Sequence, residues 1–516
     1  MPQLVEEIRK ITDNVKTKKV VLYPYAHLSS KLGSPKLAIE LLAKAKAALD
    51  GDFEVLSAPF GYYKTFEFKV KGHPMSELSR EFVAGDVSGN EEAEAELTDS
   101  ERSQILRQIS KAKLDTSKLA ENDHRILGGK MDLWSFNNVA PGMVFWHKKG
   151  LHIKNKMAEY WRQIHRKSGY DEISTPQVLD RKLWEVSGHW GKYRENMFTT
   201  KYEKRDFAVK PMNCPGGMLV YKATPKSYRD LPIRAGELGV VHRRELSGTL
   251  GGLMRVIQFT QDDAHLFCTE EQLKDEIAGI ISIIKEMYSV FGVSLDHVEL
   301  STRPEKRIGD DATWDHSEEA LEGVLKESGM KYVVNEGDGA FYGPKIDFHI
   351  KDSLDRTWQC ATIQLDMALP QRFDLTYQAE DGSDKVPMVL HRVVFGSMER
   401  FIGIFTEHVD GKFPLWINPN QVKVMSLNDD AKEYAGKVHE ELFTSGFESE
   451  LDDRNLSMGK KAREASIQRF NYIVTVGAEE MASNTIAVKI RGEKEINKMS
   501  LDDFKVQLAK EISEKK

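Results

Sequence analysis

From Leu273 onward the apolar residues return every three or four positions, and this spacing predicts a helix over 271–291. Compact apolar runs at 264–267 and 332–334 predict strands instead. Between about 123 and 416 such strands do not alternate regularly with helices. The pattern therefore predicts a mostly antiparallel sheet with segregated helices, not a doubly wound parallel one. Alternation sets in after 416. Strands at 422–427, 447–451, 472–476 and 485–490, helices at 431–442 and from 502, and a basic helix between them predict a small α/β domain. At the other end, residues 1–82 hold an apolar run (20–23), a helix-like stretch (38–49) and an alternating segment (64–70). Residues 83–122 are polar, with an acidic run at Glu91, Glu92, Glu94 and Glu96 and an amphipathic helix expected at 105–114. A charged linker is the expectation there. The fold class is α/β multidomain, divided at 1–82, 83–122, 123–416 and 417–516.

Composition narrows the class. A chain of 516 residues is too long for one core, and 30% charged with 40% hydrophobic residues is ordinary for a soluble globular protein. There is no apolar run of the ~18 residues that a membrane span needs, so no membrane partner is expected. The first residues lack the apolar core of a secretory signal. Three cysteines (Cys214, Cys268 and Cys360) argue against a disulfide framework and for a reducing cytoplasm. A net charge of −7 argues against a nonspecific nucleic-acid coat, but RNA can still be read by local basic patches and shape.

Two segments carry candidate chemistry. Residues 241–267 read as two strands joined by a glycine-rich loop, with Arg243 and Arg255 on either side. Two guanidiniums at one loop suit a phosphate-bearing ligand through bidentate contacts, although two surface arginines on a hairpin would leave the same trace. Residues 395–404 set a small-residue turn before an apolar helix, with Arg400 on its first turns.

These segments resemble motifs 2 and 3 of class II aminoacyl-tRNA synthetases, and GYDEISTP (169–176) resembles motif 1, the family's dimer element. PGMVFWHKKG (141–150), KPMNCPGG (210–217), FTQDDAH (259–265), STRPEKRIG (301–309), GAFYGPKIDF (339–348) and GSMERFIGI (396–404) are similar to the threonyl-tRNA synthetase branch. The resemblance implies a class II antiparallel β-sheet core flanked by helices and a C-terminal α/β anticodon-binding domain. It implies ATP with Mg2+. Adenine would lie between Phe259 and Arg400, Arg243 on the α-phosphate, Arg255 on the outer phosphates, Glu245 near the magnesium and Gln364 on the nucleotide. Met212, Gln261, Asp263 and Tyr342 would line the threonine pocket, with Asp263 on the ammonium. Lys345 would meet the substrate's carboxylate or phosphate, and His189 would serve transfer to the tRNA terminus.

The same resemblance implies one Zn2+ per subunit on Cys214, His265 and His391, residues that no spacing rule would group. Three mixed sulfur and nitrogen ligands leave tetrahedral zinc open to substrate. A metal that binds both the amino group and the hydroxyl rejects valine, which is nearly isosteric with threonine but has no oxygen to offer. Serine differs by one methyl, worth ~1–3 kcal/mol or roughly 10–200-fold, and should leak through. Residues 1–82 resemble the second half of the archaeal editing domain, related to D-aminoacyl-tRNA deacylases, with His27, Tyr63, Lys64 and Glu77 at its working positions. Without the first half, impaired hydrolysis of seryl-tRNA is the expectation, from a truncated start before a decayed domain. In the C-terminal domain Arg454, Glu480 and Lys489 stand at anticodon-reading positions. Lys489 replaces an arginine common in bacterial members, and lysine lacks its bidentate fork. Gly217 replaces a histidine common in bacterial members. The expected partners are threonine tRNA, ATP, threonine and a second copy through motif 1, forming a homodimer. Two alternatives stay open: another class II synthetase, for proline or serine, and a non-catalytic RNA-binding paralogue.

Overall fold

The computed structural model describes residues 2–24, 34–58, 98–109, 117–353 and 355–516. The chain divides into two compact units, 1–104 and 105–516. In the first, helices α1 (Pro2–Asn14) and α2 (Pro35–Leu49) pack with the parallel strands β1 (Lys19–Leu22) and β2 (Glu54–Ser57). Ser34 starts α2 by accepting the Leu37 N–H at 3.3 Å, and Pro35 follows where no N–H is needed. Val5, Leu22, Ala45 and Leu49 form the core of this unit. The alternating segment at 64–70 and the acidic run at 91–96 lie outside the described residues.

The helix expected at 105–114 is instead α3 (Asp99–Ile109), with residues from 110 to 116 outside the described set. Its earlier start has a local cause. The Thr98 hydroxyl accepts the Glu101 N–H at 3.3 Å while Glu101 accepts the Thr98 N–H at 3.0 Å, a reciprocal cap.

The larger unit is built on an eight-stranded sheet. Its strands in chain order are β3 (Asp171–Glu172), β4 (Ile233–His242), β5 (Gln258–Cys268), β6 (Leu295–Ser301), β7 (Val333–Asn335), β8 (Lys345–Lys351), β9 (Thr357–Asp366) and β10 (Met388–Val393). In space they run β7-β6-β8-β9-β10-β5-β4-β3. The six central strands are antiparallel, and only the two edge pairs are parallel. The irregular alternation in the sequence reflects this topology, because antiparallel neighbours need no helical crossover.

Alternation along each strand then sorts the residues by face. Leu266, Ile346, Phe348, Ile363, Leu365 and Leu390 point into one core with the helices Leu273–Val290 and Asp311–Glu327. Every second residue between them points to the other face, and the candidate site residues fall there. The helix Cys214–Lys222 covers part of that face, with Cys214, Met218 and Tyr221 packed on Phe267 and Val389.

The C-terminal stretch forms a five-stranded sheet: β11 (Val422–Ser426), β12 (Ser449–Asp452), β13 (Tyr472–Val476), β14 (Ile486–Ile490) and β15 (Ile496–Met499), in the order β12-β11-β13-β14-β15. It has a core of its own around Val424, Val438, Val474 and Phe504. The edge strand β15 and the short helix Ala478–Ser483 escape the sequence pattern. Three of the four β15 residues are exposed, so no apolar alternation marks it. Among the described residues no helix is long and apolar enough to cross a membrane.

Candidate active site

The hairpin of β4 and β5 and the helix Met398–His408 frame a cavity of about 420 Å³ lined by Arg243, Glu245, Arg255, Phe259, Gln359 and Arg400, among others. Arg243 follows β4 directly. Its N–H donates to the Ile257 carbonyl at 2.9 Å, its Nε donates to the Pro211 carbonyl at 3.1 Å, and its guanidinium lies 5.1 Å from the Phe259 ring centre. Arg255 pairs with Glu245 at 2.8 Å. Arg400 sits in the first turn of its helix, and Ser397 caps that turn by accepting the Arg400 N–H at 3.2 Å. Burial, together with Arg255 and Arg243 nearby, pushes the Arg400 pKa down. Three guanidiniums against one carboxylate give the cavity wall an excess of positive charge, as a polyphosphate requires.

Backbone anchors fix these groups. Asp262, one residue from the expected Asp263, is fully buried and points to the other face of β5. Its carboxylate accepts the N–H groups of Val394, Phe395 and Gly396 at 2.9 to 3.0 Å, which sets the turn before the helix. Burial pushes Asp262 up to about 6, against the opposing pull of Arg392 and those amides. Gly396 holds φ +75°, and a Cβ there would lie 2.5 Å from the Cys360 carbonyl oxygen. Glu399 accepts the Thr260 N–H at 2.7 Å and pairs with Lys154 at 2.8 Å, tying β5 to two helices. His124 accepts the Leu253 N–H at Nε2 (2.9 Å) and bonds Glu407 at Nδ1 (2.7 Å), so the loop between β4 and β5 is tied to the same helix.

A second cavity of about 210 Å³ shares Arg243 and Gln261 with the first and adds Met212, Cys214, Asp263, Tyr342, Gln364 and His391. His265 and His391 are register partners on β5 and β10, and Cys214 opens the helix above them. One ligand atom from each of the three lies within 4.8 Å of the others, and all three residues are buried. His265 is wholly buried with neither ring nitrogen hydrogen-bonded, and burial pushes its pKa down to about 4. His391 Nε2 is 2.7 Å from Asp366 Oδ2, the carboxylate–histidine pairing that orients metal ligands. Burial, with Asp263 and Asp366 nearby, pushes the Cys214 thiol well up. Asn213 Nδ2 donates to Asp263 at 3.2 Å. A Cβ at Gly217 would meet His265 Nδ1 at 3.1 Å, so a larger residue there requires the ring to move.

Most expected residues converge, but not all. Lys345 lines neither cavity. Its ammonium pairs with Asp338 at 2.9 Å and Asp347 at 2.7 Å, and a substrate anion there would have to compete with these carboxylates. His189 is buried, with Nδ1 2.8 Å from Ser187 Oγ and Nε2 without a partner. Burial pushes its pKa down to about 4. Glu480 is buried and accepts the Gly477 N–H at 3.0 Å as a helix cap, a structural task that the anticodon expectation did not include. Arg454 bridges Asp452 and Glu464, each at 2.6 Å, and Lys489 is exposed on β14. His27, Tyr63, Lys64 and Glu77 lie outside the described residues. Asp366, Asn213, Asp262, Glu399 and His124 were not singled out from the sequence. Asp262, Asn213 and Glu399 stood inside quoted runs, without any local signal of a role.

Comparison with known proteins bears on this arrangement directly. The family model for the tRNA synthetase class II core domain (G, H, P, S and T) matches residues 198–409. The Archaea-specific editing domain of threonyl-tRNA synthetase matches 1–82, and the anticodon binding domain matches 421–511. A threonine–tRNA ligase of Carboxydothermus hydrogenoformans is 52% identical over 396 residues, which are 77% of this chain and 62% of that protein. The chain thus spans about three fifths of that relative's length. A putative threonyl-tRNA synthetase from Aeropyrum pernix superposes with a TM-score of 0.67 at 27% identity, over 76% of this chain and 97% of that one. The RNA binding domain of threonyl-tRNA synthetase from Cryptosporidium parvum gives a TM-score of 0.74 over 75% of this chain. Because 98% of that domain is covered at 38% identity, this chain belongs to the threonyl-tRNA synthetase family.

Proposed function

We propose that the chain is a threonine–tRNA ligase, which activates threonine with ATP and passes it to the terminal adenosine of threonine tRNA. The observation that carries this reading is the junction of the two cavities at Arg243 and Gln261, a cationic cavity meeting a cavity with a buried Cys–His–His cluster. ATP would enter the first, with adenine between Phe259 and Arg400. Arg255 would hold the outer phosphates and Arg243 the α-phosphate. The threonine carboxylate then attacks the α-phosphorus in line, and pyrophosphate leaves. No side chain need act as a nucleophile, so positioning and charge stabilisation supply the rate. Gln364 would contact the nucleotide. Glu245 would be the carboxylate to hold a magnesium ion with the nucleotide, and doing so would require its pair with Arg255 to open.

The residues present fit zinc. A fully buried imidazole with two unpaired nitrogens is costly unless something occupies it, and the donor set of one thiol and two histidines is a zinc set. Bound by Cys214, His265 and His391, zinc supplies open coordination positions that suit an amino group and a hydroxyl together. Asp263 would take the ammonium, while Met212, Gln261 and Tyr342 bound the side chain. His189 would serve transfer to tRNA, although its Nε2 is buried and reaching it requires the surrounding loop to open.

Residues 123–416 would form the catalytic domain, 417–516 the anticodon-binding domain, 83–122 a linker, and 1–82 would belong to an editing domain directed at seryl-tRNA. A homodimer would form through 169–176, where both residues of the edge strand β3 are exposed. Amino-acid-dependent pyrophosphate exchange tests the core of this reading. Threonine should drive exchange and valine should not, and Arg243→Ala should lower the rate on the order of 100–1,000-fold while tRNA still binds. Exchange driven by proline but not threonine would sink it, whereas full threonylation by rigorously metal-free protein would remove the zinc assignment alone.

A further inference from the structure

A second cluster of metal-binding side chains lies on the cavity-bearing face of the sheet, on β6 and β8 and outside both cavities. His297 and Glu299 are two apart on β6 and so share a face, and His349 is the register partner of His297 on β8. One ligand atom from each lies within 4.8 Å of the others. The two rings stack with centroids 4.3 Å apart and planes 13° apart.

What surrounds the three is ordered as metal ligands are. Asp296 lies 2.8 Å from His297 Nδ1, which turns Nε2 towards Glu299 Oε1 at 3.1 Å. Thr357 in turn donates to Asp296 at 3.2 Å. Asn335 donates to the other Glu299 oxygen at 2.9 Å. His349 Nε2 is buried and has no hydrogen-bond partner. His297 stands between two carboxylates, Asp296 at Nδ1 and Glu299 at Nε2, and a cation bound at Nε2 and Glu299 takes the place of the proton that the two would otherwise share. The group Asp123, His124 and Glu407 differs, because both His124 nitrogens are already bonded to protein.

We propose that His297, Glu299 and His349 bind one divalent transition-metal ion of the zinc class and clip β6 to β8. Two imidazoles and one carboxylate favour zinc, cobalt or nickel over magnesium. The stacked rings must turn about their Cβ–Cγ bonds to converge, and with side chains 36% and 16% exposed they can be reached from solvent. The clip also falls where the ladders are weakest. The β6–β8 register shifts between Leu295 and His297, and the β8–β9 register shifts between Phe348 and His349.

Cobalt(II) titration of metal-free protein tests this. The Cys214→Ser chain should still take up one ion per chain, with visible ligand-field bands but no thiolate charge-transfer band. Adding His349→Ala should weaken that uptake about tenfold or more. Should Cys214→Ser fail to fold, elemental analysis of the otherwise native chain gives the same answer: two ions per chain, falling to one in His349→Ala with pyrophosphate exchange retained. Uptake indifferent to His349→Ala, or saturation of the native chain at a single ion that carries the thiolate band, overturns the proposal. The thiolate band reports the Cys214 site separately, so its absence alone refutes only the zinc reading above.

Discussion

His265 reaches its place with neither nitrogen satisfied, whereas His391 is held by Asp366, and the two should respond differently to substitution. Cys214→Ser removes one of the three proposed zinc ligands outright. Zinc content and threonine activation should both vanish while far-ultraviolet circular dichroism stays native, since the residue contributes little volume to the core. Asp366→Asn keeps all three ligands but loses the carboxylate behind His391. Zinc affinity should fall about 10–100-fold, read by competition with a chelator, and excess zinc should restore activation. A buried histidine outside the cavities serves a different test. Burial and nearby Arg392 push His165 from 6.5 down to about 2. Below pH 6.5 the unfolded chain takes up a proton that the folded chain refuses. This group's effect on stability is therefore nil above that pH and grows steadily more unfavourable as acid is added. Between pH 7.5 and 5 the loss is about 2 kcal/mol. Denaturation followed across that window should show it, and His165→Phe should flatten that part of the profile even if it lowers stability throughout.

The helix Met398–His408 owes its position to an anchor at its entrance. Asp262→Asn would turn an amide towards three converging N–H groups, leave at least one unsatisfied, and cost about 1–3 kcal/mol. Ser397 and Arg400 move with that turn, so KM for ATP should rise more than KM for threonine. Equal changes in both would mean that the turn does not position Arg400. Elements of this kind show what a sequence can disclose. The antiparallel sheet was readable because strands without intervening helices leave few other folds, and the C-terminal α/β unit was readable from its alternation. Arg243 and Arg255 stood at strand ends, where a hairpin makes them neighbours. The cysteine and histidine cluster was different. Positions 214, 265 and 391 meet only through cross-strand register, which no local pattern encodes, and only the family resemblance pointed to them. That resemblance assigned Lys345 a role but gave no hint of Asp338 and Asp347, whose carboxylates occupy it. Asp262 and Asp366 went unnoticed because a buried acid that anchors backbone or orients a histidine looks, in sequence, like any other.

At the scale of the whole molecule, the C-terminal α/β portion is tied to the segment that follows the helix Met398–His408 by partly buried polar contacts. Arg491 donates to the carbonyls of Lys412 and Phe413 at 3.0 and 2.9 Å, and Arg469 pairs with Asp410 at 3.0 Å. Trp416 packs edge-on to Tyr160 and Phe291. If the proposed function holds, a tRNA would be recognised at the C-terminal sheet, and recognition there should govern transfer without touching activation. The net charge of −7 makes this sharper, because the molecule as a whole repels a polyanion and binding depends on a few local cations. Lys489, exposed on β14, is the proposed cation. Lys489→Ala should lower kcat/KM for tRNA about tenfold while threonine-dependent pyrophosphate exchange stays within about twofold. Salt separates the two ways in which it can act. If Lys489 meets a phosphate, the logarithmic slope of tRNA affinity against salt should flatten by roughly 0.7–0.9; if it meets a base edge, affinity falls and the slope stays. A loss of exchange comparable to the loss of charging would show that the two portions are coupled through the catalytic sheet, and that Lys489 supports the fold and does not read RNA.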